Sequence, residues 1–314
     1  GFVQVFLVNP SQQQAQVSIQ QVGDSTVKAT HWLMLPGRGR ALLDPEQAFP
    51  GMAPADYLRV QADRPVLGCE TFGDGQKLAA LAGMSVPGEP ATLYCPHVVS
   101  GDLGVNYETW LTLVNPTSEG TTVALQQYDD GGQLLDSPAP LVVPERSKLH
   151  LNLATLFEVT PPITGSIVAQ ASGPGAVTGE VTFGEAGEGR FLASLPLLPS
   201  GSTDTLVGHI ANGVLGSVAF FTGLAILNPG SAPVTVHIAA FDQSGLPLAA
   251  ADSTVAAHAR DVFLLDQKLP GLTGLFGGYL RITVTSGGEA AVFALFGDQA
   301  LNFLSAVQAQ AIRE

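Results

Sequence analysis

Aliphatic residues alternate with variable ones in three short stretches of the chain. Val5 and Leu7, Leu111 and Leu113, and Leu224 and Ile226 are constrained, while the residues between and before them vary as Gln4/Trp110/Gly223 and Phe6/Thr112/Ala225. Period two with one constrained face predicts a half-buried β-strand. Each stretch runs into Asn-Pro, at Asn9-Pro10, Asn115-Pro116 and Asn228-Pro229. Proline cannot donate to a ladder, so the strand ends there and a turn begins. Eight residues after each Asn comes a second aliphatic pair, Val17/Ile19, Val123/Leu125 and Val236/Ile238. This second strand ends in Tyr128-Asp129-Asp130-Gly131-Gly132 and Phe241-Asp242-Gln243-Ser244-Gly245, and in Val22-Gly23-Asp24 in the first copy. An acid followed by glycine marks a hairpin. The apolar spacing lengthens from two to three across Gln20-Gln21, Gln126-Gln127 and Ala239-Ala240, which predicts a β-bulge, since one extra residue re-aims the next side chain.

The same register continues. Apolar segments follow at 33–35, 141–143 and 254–256, then at 40–43, 149–153 and 262–265, with a one-turn helix or turn expected at Phe49-Pro50, Leu156-Phe157 and Leu269-Pro270. Each copy then carries Phe-Gly-acid, at Phe72-Gly73-Asp74, Phe183-Gly184-Glu185 and Phe296-Gly297-Asp298, before a last apolar strand. About seven strands per copy, with turn signals every eight to twelve residues, predict an antiparallel sandwich. The expected fold is all-β: three tandem immunoglobulin-like β-sandwich domains over residues 1–94, 95–205 and 206–314. A β-propeller is the competing architecture, but its blades of about forty to fifty residues would need more copies. The first copy lacks the segment that opens the others, Cys95-Pro96-His97-Val98 and Val207-Gly208-His209-Ile210, and is expected to be incomplete on that side. The junctions at 83–91 and 198–205 are short and rich in Pro and Gly, favouring a rod with restricted hinges.

Composition sharpens this reading. Hydrophobic residues make up 46% of the chain and charged residues 13%, with 36 Gly and 22 Pro, so the chain is too apolar for disorder and rich in turns. The net charge is −14. Six basic and eight acidic residues fall in 1–94, three and twelve in 95–205, and four and seven in 206–314, so acidity concentrates in the middle copy. A surface of that sign repels phosphate backbones, and no Lys/Arg cluster interleaves with aromatics, which argues against nucleic-acid partners. No apolar run reaches the roughly eighteen residues of a bilayer span, and the first residues already belong to a strand; any export signal is expected to have been removed or to lie upstream.

A triplicated module repeats a surface more readily than it builds a single catalytic site. HExxH, GxSxG and protease-type cysteine motifs are lacking in the sequence, and Gly173-Pro174-Gly175 lacks the Lys-Ser/Thr of a phosphate loop. Glu70 and Glu180 do not align between copies and have no evident partner as a carboxylate pair. No catalytic residue is assigned and no enzyme is expected. Cys69 and Cys95 read either as a disulfide tying the strand before Phe72 to the first junction or as two free thiols; a Cys69/Cys95/His97 metal site lacks a fourth ligand. His97 and His209 match between copies, as an interface or strand-edge pair bonded to backbone or as metal ligands. Asp129, Asp130 and Asp242 lie in oxygen-rich turns that offer calcium ligands, against the plain hairpin reading. Asp74, Glu185 and Asp298 read as turn acids bonding nearby amides. Tyr107 and Trp110, with Phe220 and Phe221 at matching ground, form the candidate aromatic platform for a glycan or a neighbouring module.

In its Asn-Pro strand, its Tyr/Phe-Asp-x-x-Gly hairpin and its Pro-His or Gly-His opening, the chain resembles the tandem immunoglobulin-like β-sandwich repeats of large secreted and cell-surface proteins of bacteria. The resemblance implies an exported, repeat-built, non-catalytic protein and carries over no binding residue. The expected function is therefore an extracellular structural or adhesive one, with self-association into a fibre or surface layer through strand edges, or contact with other cell-surface proteins. The alternative is a carbohydrate-binding array that takes a polysaccharide.

Overall fold

The computed structural model describes residues 1–89, 91–187 and 189–312. Strands account for 60% of the protein and helices for 4%, in four antiparallel sheets, so the all-β sandwich expectation holds. The first repeat contains β1 (Phe2–Val8), β2 (Ala15–Gly23), β3 (Thr26–Leu35), β4 (Arg40–Leu43), α1 (Pro45–Ala48), β5 (Tyr57–Ala62), β6 (Leu67–Gly73) and β7 (Leu78–Ala82). The second contains β8 (Thr92–Asp102), β9 (Asn106–Asn115), β10 (Thr121–Tyr128), β11 (Leu134–Asp136), β12 (Leu141–Val143), β13 (Ser147–Asn152), α2 (Leu153–Leu156), β14 (Ile163–Ser172), β15 (Thr178–Glu185) and β16 (Leu192–Pro196). The third contains β17 (Asp204–Leu215), β18 (Val218–Leu227), β19 (Val234–Phe241), β20 (Pro247–Val255), β21 (Arg260–Leu264), α3 (Leu265–Lys268), β22 (Leu275–Ser286), β23 (Ala291–Asp298), β24 (Leu304–Val307) and β25 (Ala309–Ala311).

Each repeat stacks two layers. In the first they are β3-β2-β5 and β4-β1-β6-β7. In the second the path β11-β10-β14-β8 passes through a short β8–β9 hairpin contact into β9-β15-β16, with β13 on the far edge of β9. The third repeats this order. Three clusters of buried apolar side chains fill the spaces between layers, built around Leu7 and Ile19, around Leu111 and Leu125, and around Ile226 and Ile238. The predicted bulges are present in all three copies as register shifts at Gln21/Val22, Gln127/Tyr128 and Ala240/Phe241.

The repeated Asn is a latch. Asn115 is fully buried; its Nδ2 donates to Glu119 O and Val143 O, and its Oδ1 accepts from Thr117 N and Thr117 Oγ1. Asn9 and Asn228 do the same with Leu35 O and Val255 O across the sheet and with Ser11 N and Gly230 N in the turn. One side chain thus ties the first turn to the far strand, satisfying carbonyls that would otherwise be orphaned. Phe-Gly-acid is equally structural. A Cβ on Gly73, Gly184 or Gly297 would lie 2.0, 2.4 or 2.6 Å from a carbonyl oxygen of the returning strand, so only glycine allows the approach. The acid then accepts amides of that return, from Gln76 and Lys77, Arg190, and Asn302.

The junctions do not set the repeats end to end, as a rod requires. The last strands β7, β16 and β24 pack beside one another, and Ala225, Phe293 and Leu304 of the third repeat join the buried cluster of the second. The apolar faces of these strands outweigh the extended preference of the Pro/Gly linkers.

Candidate functional site

The chemistry of the chain gathers at the seams between repeats. Strand pairing supplies the key equivalence: Val8 faces Arg40, Val114 faces Lys148 and Leu227 faces Arg260. The residue before each latch Asn is therefore opposite a basic side chain in all three copies. Arg40 is exposed, Lys148 is half-buried and Arg260 is 6% exposed, so the three copies show one position in three states of coverage.

At the seam between the second and third repeats, Arg260 Nε donates to Asp130 Oδ1 at 2.7 Å, and the second guanidinium nitrogen donates to Pro96 O at 3.3 Å and to His97 Nδ1 at 2.9 Å. Burial lowers the Arg260 pKa and the Asp130 carboxylate opposes that shift, but an arginine keeps its charge under all ordinary conditions. A guanidinium has only donors, so His97 accepts through Nδ1 and is neutral. Although part of the residue still reaches solvent, its ring is enclosed edge-on to Phe183, and burial and then Arg260 push its pKa down to about 3. Beside these contacts Tyr128 and His258 stack at 5.5 Å, and Gly132 (φ 86°) passes under Ala257 O. A cavity of about 270 Å³ lies between His97 and the apolar wall formed by Phe221, Phe293 and Leu295.

At the seam between the first and second repeats the polar set is different. Glu70 is on the inner face of β6, opposite Val5, where register places Val181 and Ala294 in the other copies. Burial first, then Glu180, raises its pKa to about 7, against the pull of Lys148. Glu180 accepts from Ser194 Oγ and Thr182 Oγ1. Lys148 is lowered by burial while Glu180, Glu70 and Asp56 oppose the shift. The two carboxylates that do not align in sequence thus meet across a seam, with a lysine near both. Neither lines the cavity between the second and third repeats or the groove on the third.

The sign of the pH dependence follows. A carboxyl whose folded pKa is raised favours the folded state below its unfolded pKa, near 4.5, and that contribution is lost as pH rises through about 7. Glu70→Val, the residue the second repeat uses, is expected to leave stability near pH 4 little changed and to raise it by about 3 kcal/mol at pH 8. Urea unfolding at the two pH values tests this; equal effects at both would refute it. His97 acts in the other window: its depressed pKa makes stability fall as pH drops from about 6.5 toward 3.

The other sequence candidates fall as follows. Cys69 is exposed on the outer face of β6 and Cys95 is buried in β8; of the two alternatives, the structure has the free thiols. Burial pushes the Cys95 thiol up to about 12. Asp129 and Asp242 spend Oδ1 on the turn amides of Gln133 and of Ser244 and Leu246, and Asp130 faces Arg260. Among the described residues, no three His, Cys, Asp or Glu side chains gather as metal ligands. The aromatic platform is divided. Tyr107 and Phe220 contact Phe191 and Phe303 of their own repeats, Trp110 stacks on His150 at 4.7 Å on the opposite face, and Phe221 lines the seam cavity. His97 lies at an interface, but its ring bonds the Arg260 side chain where a backbone partner was expected, and the basic triplet was missed.

No protein-family model matches the chain, and no curated protein matches it. Among solved structures it is similar to Thermotoga maritima 1070, at 15% identity and a TM-score of 0.31, over 36% of this chain and 97% of that one. It is also similar to dimeric latent PorU from Porphyromonas gingivalis, at 13% identity and a TM-score of 0.22, over 98% of this chain and 30% of that one. Likenesses this distant say nothing of activity. Among the described residues, no helix is long and apolar enough to cross a membrane.

Proposed function

We propose that this is a non-enzymatic extracellular protein with a structural or adhesive role, built from three β-sandwich units over 1–94, 95–205 and 206–314, that self-associates into a fibre or surface layer. The observation that carries this reading is the repeated use of the latch Asn, the Phe-Gly-acid return and the seam base: the recurring chemistry of the chain holds strands and repeats together. The edge of β5 supports a strand-edge route. β14 pairs with β8 and β22 with β17, whereas β5 pairs only with β2 among the described residues, so its outer edge is where a strand of a neighbouring copy would add. For the carbohydrate-binding alternative no observation speaks, since Trp110 is already stacked on His150. Negative-stain electron microscopy at rising protein concentration tests the proposal: ordered filaments or sheets are expected, and isolated particles at every concentration would overturn it.

A further inference from the structure

The faces that form the seam between the second and third repeats recur on the first and third repeats, away from the β7, β16 and β24 strands that pack together. On the first repeat, the counterparts of Leu227 and Val262 are Val8 and Leu42; Val8 is 41% exposed where Leu227 is 1% exposed, while Leu42, at 58%, lies at the rim as Val262 does at 42%. Arg40, the counterpart of Arg260, is exposed beside them. On the third repeat, His209 stands where His97 stands on the second and makes the same edge-on contact, to Phe296 at 4.8 Å. There it borders an open groove of about 530 Å³ whose walls include Leu206, Phe296, Ala306 and Val307.

We propose that a second copy of the chain docks here, its first repeat seated on the third repeat of its neighbour as the third is seated on the second. The proposal rests on the self-association reading but assigns a face-to-face contact in place of the strand edge. Complementarity extends beyond the apolar groove. Arg40 meets Gln243, which replaces Asp130 as acceptor, together with His209 Nδ1 and Gly208 O. Gly245 (φ 85°) matches Gly132 but has only Tyr279 Oη near its Cβ position, so it is open where Gly132 is covered. The segment that covers Gly132 carries His258 at φ 58°, and its counterpart on the first repeat carries Arg38 at φ 57°. His258 stacks on Tyr128; Arg38 has Phe241, itself stacked on Tyr279 at 4.9 Å, as the corresponding ring. A head-to-tail contact of this kind either closes a ring or propagates as a filament.

Cys69 provides the test. Its counterpart Phe293 shares the seam cavity with His97, so Cys69 of one copy is placed opposite His209 of the next, while Cys95 is buried. Under mild diamide oxidation, His209→Cys is expected to give a dithiothreitol-reversible ladder at multiples of the single-chain mass, abolished by adding Cys69→Ser. His237→Cys, at a partly exposed site on β19, is expected to give none. Arg40→Glu, a surface change that leaves the fold intact, is expected to weaken association of the otherwise native chain at least tenfold. If the native chain associates but His209→Cys gives no ladder and Arg40→Glu associates normally, the face assignment is wrong and the strand edge stands. A bridge at single-chain mass would show closure within one molecule and also overturn the second copy. A native chain that never associates overturns both readings.

Discussion

Arg260→Ala is expected to loosen the seam between the second and third repeats and to lower stability by about 3 kcal/mol, the low end for removing one member of a buried ion pair. The low end applies because Asp130 is 63% exposed and regains water, whereas the Arg260 side chain is 2% exposed. What cannot be recovered are the acceptors it leaves behind. Pro96 O and His97 Nδ1 lose their donor inside the seam, and each unsatisfied group costs about 1–3 kcal/mol. Arg260→Lys is expected to restore part of the loss, since an ammonium reaches one acceptor but not the fork of three. Arg260→Met keeps the stem and is expected to behave like alanine. Urea unfolding, with amide exchange read at the 128–132 hairpin, separates loss of the seam from loss of the whole sandwich. Arg260→Met as stable as the native chain would show that packing alone holds the seam.

The second large effect is at the latch. Asn115→Ala is expected to cost about 2–4 kcal/mol, because it deprives the buried Val143 O of its donor, loses the part-buried bond to Glu119 O and frees the turn that Thr117 anchors. Asn115→Asp makes the distinction sharp. It keeps the acceptor for Thr117 but aims a carboxylate at two carbonyls, so it is expected to be at least as damaging as alanine. An Asp variant of native stability, measured by urea unfolding, would mean that the turn contact alone matters. Asn9 and Asn228 are expected to behave alike within their own repeats.

Much of this fold was legible from local signals. The period-two strands, the Asn-Pro turns, the bulges after Gln21, Gln127 and Ala240, the hairpins and the turn acids each depend on residues near one another in sequence, where side-chain period and turn chemistry decide the outcome. The seams were not legible. Arg260 reaches back more than 160 residues to Pro96 and His97, and nothing local marks Asp130 as its partner. The basic triplet was hidden by loop length, since Arg40, Lys148 and Arg260 follow their latch Asn by 31, 33 and 32 residues; only strand pairing aligns them. Glu70 and Glu180 failed to align for a physical reason: they belong to opposite sides of one seam and to different faces of their sheets. The rod expectation fell because linker stiffness was weighed without the apolar faces of β7, β16 and β24.

In the proposed assembly the exposed face of the first repeat of one copy seats on the third repeat of the next. Light scattering across a concentration series, on the native chain beside Arg40→Glu, tests it most directly. The native molar mass is expected to climb from 32.4 kDa toward multiples of it, with the variant remaining at the single-chain value over the same range; a native chain that stays at 32.4 kDa throughout would contradict it.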